Sequence, residues 1–359
     1  IKQYSDLNEA DLLQLDCYVW LLKQIQQVEP PTAEFWLGKD EYGAPQQRVE
    51  HEYDEERFIS HLKHIVHLMN SQVEAPSVRL ADYCRGCQWH SACKAQAQIH
   101  YDVSLLNGLR KETHIHFKKE SITSLHQIVS MSVDQLRWFH DIGKATAPTL
   151  QSQARAWIEQ RPIWLNSVPN VCQQPMWFFD IETDPYTQRV WSIGWSDDVG
   201  NLGLLIVAPY QRKTQHLILN DGRSAAIVPD TDAAWRYFAD AVSANECPIA
   251  HWTGFDAGVM RASATVDVIS RLNHRLHDLH HTFKKTVQIP ARGTSLKTVS
   301  AYLGFRYAGY EDWSMAYNDY RRWLAIDDVR HLTDACAYQA DDVIAMIVVW
   351  KWLNERSED

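Results

Sequence analysis

The stretch 177-WFFDIETDPYTQRVWSIGW-195 places two carboxylates inside what otherwise looks like a buried strand. In a strand, residues i and i+2 face the same side, so Asp180 and Glu182 project together while Phe179 and Ile181 face the opposite layer. Adjacent like charges are unfavourable unless a positive charge lies between them. A divalent cation such as Mg²⁺, which prefers carboxylate oxygens, is the simplest such charge. The stretch therefore predicts a metal site on one face of a sheet.

The sequence on either side of this stretch alternates short strands with helices. We predict strands at 176–182, 189–196, 202–208 and 247–252, and helices at 231–244, 255–262, 295–303, 312–324 and 331–355. Consecutive strands followed by alternation with helices predict an α/β domain with a mixed sheet and flanking helices.

Two further acids complete a candidate metal cage. Asp256 follows a buried strand in 249-IAHWTGFD-256, at the entrance of a helix. Asp342 lies on the last helix with Tyr338 four residues earlier, on the same helical face. Asp341 has Ala337 at that position, so Asp342 is favoured.

Two other polar residues near these acids are more ordinary. Asp278 is predicted to cap a helix or to form a surface ion pair. Lys297 has the reach to contact a phosphate, although a solvated lysine is the commoner case.

These motifs resemble those of the DnaQ-like (DEDD) exonucleases of the ribonuclease H-like superfamily, over about 176–359. The matching residues are Asp180, Glu182, Asp256, Tyr338 and Asp342. The resemblance implies two Mg²⁺ or Mn²⁺ ions held by the four acids, with Tyr338 orienting or deprotonating the attacking water, and 3′–5′ exonuclease activity. Many members carry Asn four residues before the second motif's Asp, where this sequence has Trp252.

The run 84-CRGCQWHSAC-93 has the spacing of a thiolate metal site. Cys84, Cys87 and Cys93 are clustered, whereas the other four of the seven cysteines are scattered. An odd cysteine count with one tight cluster favours a reducing, cytoplasmic compartment over a disulfide framework. His90 would complete a zinc site, and a fourth cysteine would instead complete an iron–sulfur cluster.

Upstream of this run, an amphipathic helix at about 8–27 carries 14-QLDCY-18. Gln14 and Tyr18 followed by such a cysteine cluster resemble the iron–sulfur branch of the RecB-like nucleases of the PD-(D/E)xK superfamily. The resemblance implies a [4Fe–4S] cluster and a catalytic role for Lys2. The acids and the first cysteine of that domain are then expected before Ile1. Cys17 is an alternative fourth ligand, but packing in the core is favoured for it.

The middle of the chain carries two similar segments, 103–122 and 136–155, each with an apolar run, a turn and a helix. They resemble helix-hairpin-helix motifs, which offer backbone N–H groups to phosphates. The resemblance implies nucleic-acid contacts from Gly108, Arg110, Gly143 and Lys144. A helical spacer is the alternative interpretation. Residues 101–160 are predicted to form short helices with tight turns, and residues 161–175, which include three prolines, to form a linker.

Together these observations predict three parts: a C-terminal half of a restriction-endonuclease-like α/β domain at 1–100, a helical module with its linker at 101–170, and a ribonuclease H-like domain at 171–359. The predicted function is exonucleolytic hydrolysis of single-stranded DNA by two metal ions, with a possible protein partner in repair or defence. The alternatives are an RNA exonuclease and a non-catalytic scaffold that binds nucleic acid. The interrupted hydrophobicity and the net charge of −10 exclude a membrane span and a chain that coats nucleic acid through overall charge.

Overall fold

The computed structural model describes residues 7, 9–37, 47–70, 78–81, 84, 87–139, 142–143, 146–310 and 312–355. Lys2 and Lys144, both predicted to act in function, lie outside these ranges. The chain divides into two compact units, Ile1–Ser77 with Asp184–Gln188 and Val78–Thr183 with Arg189–Asp359. Within the described ranges, every helix is too short or too polar to cross a bilayer.

The smaller unit contains two helices and a two-stranded antiparallel sheet. Its elements are α1 (Glu9–Gln26), β1 (Glu34–Leu37), β2 (Gln47–Glu50) and α2 (Glu55–Asn70). The predicted helix at about 8–27 is confirmed.

A buried charge cluster lies in this unit. Asp16 of α1 is fully buried, and its carboxylate oxygens lie 2.5 Å from His51 Nε2 and 2.5 Å from Arg57 Nη2. Leu21 and Leu22 of the same helix are 43% and 42% exposed. The helix therefore turns a charged residue inward and leaves part of its apolar surface outside.

The larger unit begins with a set of short helices. They are α3 (His90–Ile99), α4 (Lys111–Lys119), α5 (Leu125–Ser130), α6 (Val133–Leu136) and α7 (Thr146–Glu159). Ser124 and Ser132 form capping boxes at the starts of α5 and α6, which fixes two tight turns. Phe117, Leu125 and Leu136 are fully buried in the core of this module. The predicted run of short helices with tight turns is confirmed.

A seven-stranded mixed sheet follows, in the spatial order β10-β9-β4-β5-β6-β8-β7. Its strands are β4 (Trp177–Thr183), β5 (Val190–Asp197), β6 (Leu202–Val207), β7 (Gln215–Ile218), β8 (Ser224–Val228), β9 (Ile249–His251) and β10 (Leu276–Asp278). The strand β4 pairs with β5 antiparallel and with β9 parallel, so the strand that carries the acid pair lies inside the sheet.

Helices cover both faces of this sheet. They are α8 (Thr231–Ala241), α9 (Gly254–Ser263), α10 (Val266–Leu272), α11 (Leu279–Thr286), α12 (Leu296–Tyr302), α13 (Trp313–Ile326) and α14 (Val329–Glu355). Phe179 and Ile181 pack with α8, whereas Phe178 packs with α14. The predicted α/β architecture and the alternation of side chains along β4 are confirmed.

Several elements lie outside the strands and helices predicted from the sequence. The strands β7, β8 and β10 and the helices α10 and α11 are examples. Residues 161–175, expected to be a linker, include β3 (Ile163–Trp164), which pairs with β11 (Val287–Gln288). Cys172 in the same segment is fully buried in the core beside α14. This segment is thus part of the packed structure.

Candidate active site

Three predicted acids meet between β4 and α14. Asp180 and Glu182 project from β4, and Asp342 comes from the middle of α14. One carboxylate oxygen from each lies within 4.8 Å of the other two. Among the described residues, no other group brings three carboxylate, imidazole or thiolate ligands this close together. Strand alternation and one helix therefore bring together acids 162 positions apart in sequence, from 180 to 342.

The fourth predicted acid, Asp256, lies in the first turn of α9 and is buried. Its carboxylate accepts hydrogen bonds from its own backbone N–H and from that of Ile181, which fixes it beside β4. Thr253, the cap of this helix, has a φ of 115°, a conformation that a threonine rarely adopts. Trp252, which occupies the place of the expected Asn, is a buried core residue.

The pKa values of these acids reflect burial first and mutual repulsion second. Burial raises the pKa of Asp180 well above its usual range, and the charges of Asp256, Asp342 and Glu182 raise it further. Burial likewise raises the pKa of Glu182, and it raises that of Asp256 to about 7. Burial also raises the pKa of Asp342.

Divalent cations would remove this repulsion. The set of ligands consists of carboxylates alone, which is the preference of Mg²⁺ and Mn²⁺ and not of soft metals. These residues therefore fit the ions that the sequence predicts.

A network of hydroxyl and ammonium groups surrounds Asp342. Tyr307 donates its hydroxyl to Asp342 Oδ1 at 2.7 Å, and the hydroxyl of Tyr338 also hydrogen-bonds this carboxylate. Lys297 Nζ donates to the Tyr338 hydroxyl at 3.0 Å and lies 4.4 Å from the centre of its ring. Burial raises the pKa of Tyr338 above its usual range, as do the nearby acids, so the side chain stays protonated.

The adjacent acid on α14 has a different environment. Asp341 accepts the backbone N–H groups of Ala308 and Gly309 at 2.8 and 3.2 Å, so its side chain holds a loop in place. Asp278 caps α11 through the backbone N–H of His281, one of the two roles predicted for it.

Close approach of α14 to the sheet depends on a glycine. Gly194 lies opposite Asp180 in the β4–β5 register. A Cβ atom there would lie 2.8 Å from Gln339 Cγ and 3.1 Å from Val343 Cγ2. Its absence lets Gln339 donate to Asp180 Oδ2 at 2.7 Å.

Three residues of this site were not predicted from the sequence, or were predicted to have an ordinary role. Tyr307 and Gln339 were missed, since neither is a residue that a motif specifies. Lys297 was interpreted as an ordinary solvated lysine, but it is half-buried and contacts Tyr338. A signal was available for Gln339, which lies between the two motif residues of the last helix and three residues before Asp342.

The residues predicted in the smaller unit form a separate group. Gln14 Nε2 donates to the Tyr18 hydroxyl at 2.8 Å, one turn apart on α1. Both side chains line a pocket of about 300 Å³ together with Asp11 and Trp36. The structure thus pairs the two residues of the motif, and their catalytic role stays a prediction.

The cysteine cluster forms a local turn. The backbone N–H of Cys87 donates to the carbonyl of Cys84, and the thiol of Cys84 lies 3.4 Å from the backbone nitrogen of Ala81. Cys84 and Cys93 are half-buried and Cys87 is exposed. In the described part of the chain, these cysteines and His90 do not bring three ligand atoms within 4.8 Å of one another, and a zinc site here stays a prediction. An iron–sulfur cluster stays a prediction.

The predicted hairpin glycines lie beside helix starts. Gly108 precedes α4 in the left-handed region, with a φ of +75°. Arg110 is the residue at the N-terminal boundary of α4, and its side chain makes no capping hydrogen bond to that helix. Gly143 accepts backbone N–H groups from Thr146 and Ala147 at the start of α7.

Residues 177–354 match the model of a family described as the RNase H superfamily. The match covers the seven-stranded sheet, its flanking helices and all four predicted acids. These residues therefore form a ribonuclease H-like domain, and a helical module precedes it. Such a domain indicates nuclease-type activity, which implies binding of nucleic acid. No curated protein matches the chain.

Proposed function

We propose that this protein is a metal-dependent exonuclease that hydrolyses phosphodiesters at the 3′ ends of single-stranded DNA. The observation that carries the proposal is the convergence of Asp180, Glu182 and Asp342 in a partly buried cluster, with Asp256 fixed beside the same strand. A buried or half-buried set of four acids with raised pKa values is unfavourable for the fold unless it serves a purpose.

In this proposal Asp180, Glu182, Asp256 and Asp342 hold two Mg²⁺ or Mn²⁺ ions. Two bound ions supply stabilisation of negative charge on the attacking and leaving oxygens of a phosphodiester.

The surrounding side chains have distinct tasks. Tyr338 orients the attacking water by hydrogen bonding, and burial together with the nearby acids raises the pKa of its phenol in the metal-free site. Lys297 donates to the Tyr338 hydroxyl, which directs the phenolic proton away from the lysine. Tyr307 and Gln339 hold the carboxylates of Asp342 and Asp180 in position.

The test uses a single-stranded DNA labelled at its 5′ end, incubated with the protein and Mn²⁺, with the Asp180→Ala variant in parallel. The wild type is expected to shorten the strand from its 3′ end in steps, and the variant is expected to leave it intact. Equal degradation by both proteins, or no degradation by either, would contradict the proposal, and the second result would favour a nucleic-acid-binding scaffold.

Two matched substrates define the finer points. A 3′-labelled strand distinguishes the direction of digestion, because a 3′–5′ enzyme releases the label in its first product. An RNA of the same sequence tests the alternative of an RNA exonuclease, which predicts faster degradation of the RNA strand.

A further inference from the structure

A basic pocket of about 500 Å³ lies in the larger unit, apart from the acid cluster. Its walls come from three places in the sequence: residues 79–81, the hairpin and first turns of α4 at 104–114, and Arg292. Its basic side chains are Arg79, Arg110, Lys111, His114 and Arg292, against the single acid Glu112. The lining of the pocket therefore has an excess of positive charge, whereas the whole chain has a net charge of −10.

The pocket has a fixed shape. Arg292 Nε donates to the carbonyl of Ser104 at 3.1 Å, and Asn107 Nδ2 donates to the carbonyl of Ala291 at 3.2 Å. These bonds join the hairpin to the loop before α12. A preformed site loses less conformational freedom when a ligand binds.

The backbone and side chains around the pocket favour an anion. Gly108 has a φ of +75° and leaves open space where a Cβ would be. The helix α4 begins at Lys111 without a side-chain cap, and helix N-termini attract negative charge. Ser104 lines the same pocket, and its buried hydroxyl has no hydrogen-bond partner among the residues that the structure describes.

The pKa of His114 is affected by the positive charges of this region. Its pKa is lowered mainly by burial, and the charges of Arg79 and Lys118 lower it further, against the opposing effect of Asp102. At neutral pH the imidazole is therefore uncharged and offers one N–H donor beside the charged groups.

We propose that this pocket binds a phosphate group, carried either by a nucleic-acid strand or by a free mononucleotide. Arginine forks and a lysine are the side chains that recognise phosphate oxygens. Arg79 and Arg292 lie outside the hairpin, so the site is broader than the glycine turn alone. For a strand, the inference rests on the proposed function, because the pocket then holds the substrate away from the acids.

The test compares Lys111→Gln with Lys119→Gln. Both residues are exposed and lie on α4, but only Lys111 lines the pocket. The two variants therefore remove the same charge from the same helix. Binding of a fluorescein-labelled single-stranded DNA of about 12 nucleotides and of a fluorescent AMP analogue is measured by anisotropy in EDTA, which prevents hydrolysis.

Lys111→Gln is expected to weaken binding of the strand about tenfold and to lower the slope of log affinity against log salt by about 0.7. Lys119→Gln is expected to bind within about twofold of the wild type. Arg79→Gln, across the pocket, is expected to repeat the effect of Lys111→Gln. Loss of AMP binding alone in the two pocket variants would assign the phosphate to a free mononucleotide.

The pocket inference is overturned if Lys111→Gln and Lys119→Gln bind both probes alike, whether both match the wild type or both weaken equally. It is also overturned if the wild type binds neither probe. Hydrolysis of bis(p-nitrophenyl) phosphate with Mn²⁺, compared between the wild type and Asp180→Ala, reports separately on the acid cluster. Failure of the pocket and failure of the nuclease proposal are thus distinguishable.

Discussion

The metal-free protein is expected to lose stability as the pH rises from about 5.5 to about 8. Asp256 has a pKa of about 7 in the folded chain, against about 3.9 when unfolded. Between these values the folded state binds more protons than the unfolded state, so the free energy of unfolding falls as pH rises. For this carboxylate alone, the linkage relation gives a loss of about 2 kcal/mol across that interval.

The assay is denaturation in EDTA at both pH values, for the wild type and for Asp256→Asn. The variant lacks the titrating group, so its free energy of unfolding should change less between the two pH values, by about 2 kcal/mol. Added Mg²⁺ should stabilise the wild type more at the higher pH, where the acids are ionised. Identical pH dependence in the two proteins would refute the assignment of a raised pKa to Asp256.

Three further predictions concern the structure around the acids. Gly194→Ala should destabilise the fold by about 1–3 kcal/mol, because the new Cβ would meet Gln339 and push α14 from the sheet. Thermal denaturation measures the loss of stability, and an unchanged midpoint would contradict the prediction. Tyr307→Phe should weaken Mn²⁺ binding about tenfold by removing a hydrogen bond to Asp342, which calorimetry tests, and wild-type affinity would argue against such support. Lys297→Met should slow hydrolysis about thirtyfold at saturating Mn²⁺, because the charge-assisted hydrogen bond to Tyr338, of about 2 kcal/mol, is lost. A rate within twofold of the wild type would exclude a role of Lys297 in supporting Tyr338.

Local sequence rules predicted much of the ribonuclease H-like domain. The alternation of Phe179, Asp180, Ile181 and Glu182 follows from strand geometry alone, and the structure reproduces it. Spacing of one turn between Tyr338 and Asp342 likewise follows from helix geometry. Family resemblance connected these local patterns to Asp256.

Other features depend on tertiary contacts that local patterns do not encode. The support of Asp342 by Tyr307 requires α14 to pack beside the loop after α12, across 35 positions of sequence. The short strands β7 and β10 lack a strong alternating pattern and are defined by their neighbours in the sheet. Asp16 is another example, since an acid is rarely fully buried unless it is paired. Its partners, His51 and Arg57, lie outside its own helix, so no local pattern predicts the pairing.

We propose that Asp342 belongs to a working metal site and that its neighbour Asp341 does not. The most direct measurement is the rate of Mn²⁺-dependent hydrolysis of single-stranded DNA by Asp342→Asn and by Asp341→Asn. Each variant removes one negative charge from adjacent positions of α14, and asparagine at 341 keeps an acceptor for the loop. We expect a loss of at least about a hundredfold for Asp342→Asn and a change of at most about threefold for Asp341→Asn. Equal rates in the two variants would contradict it.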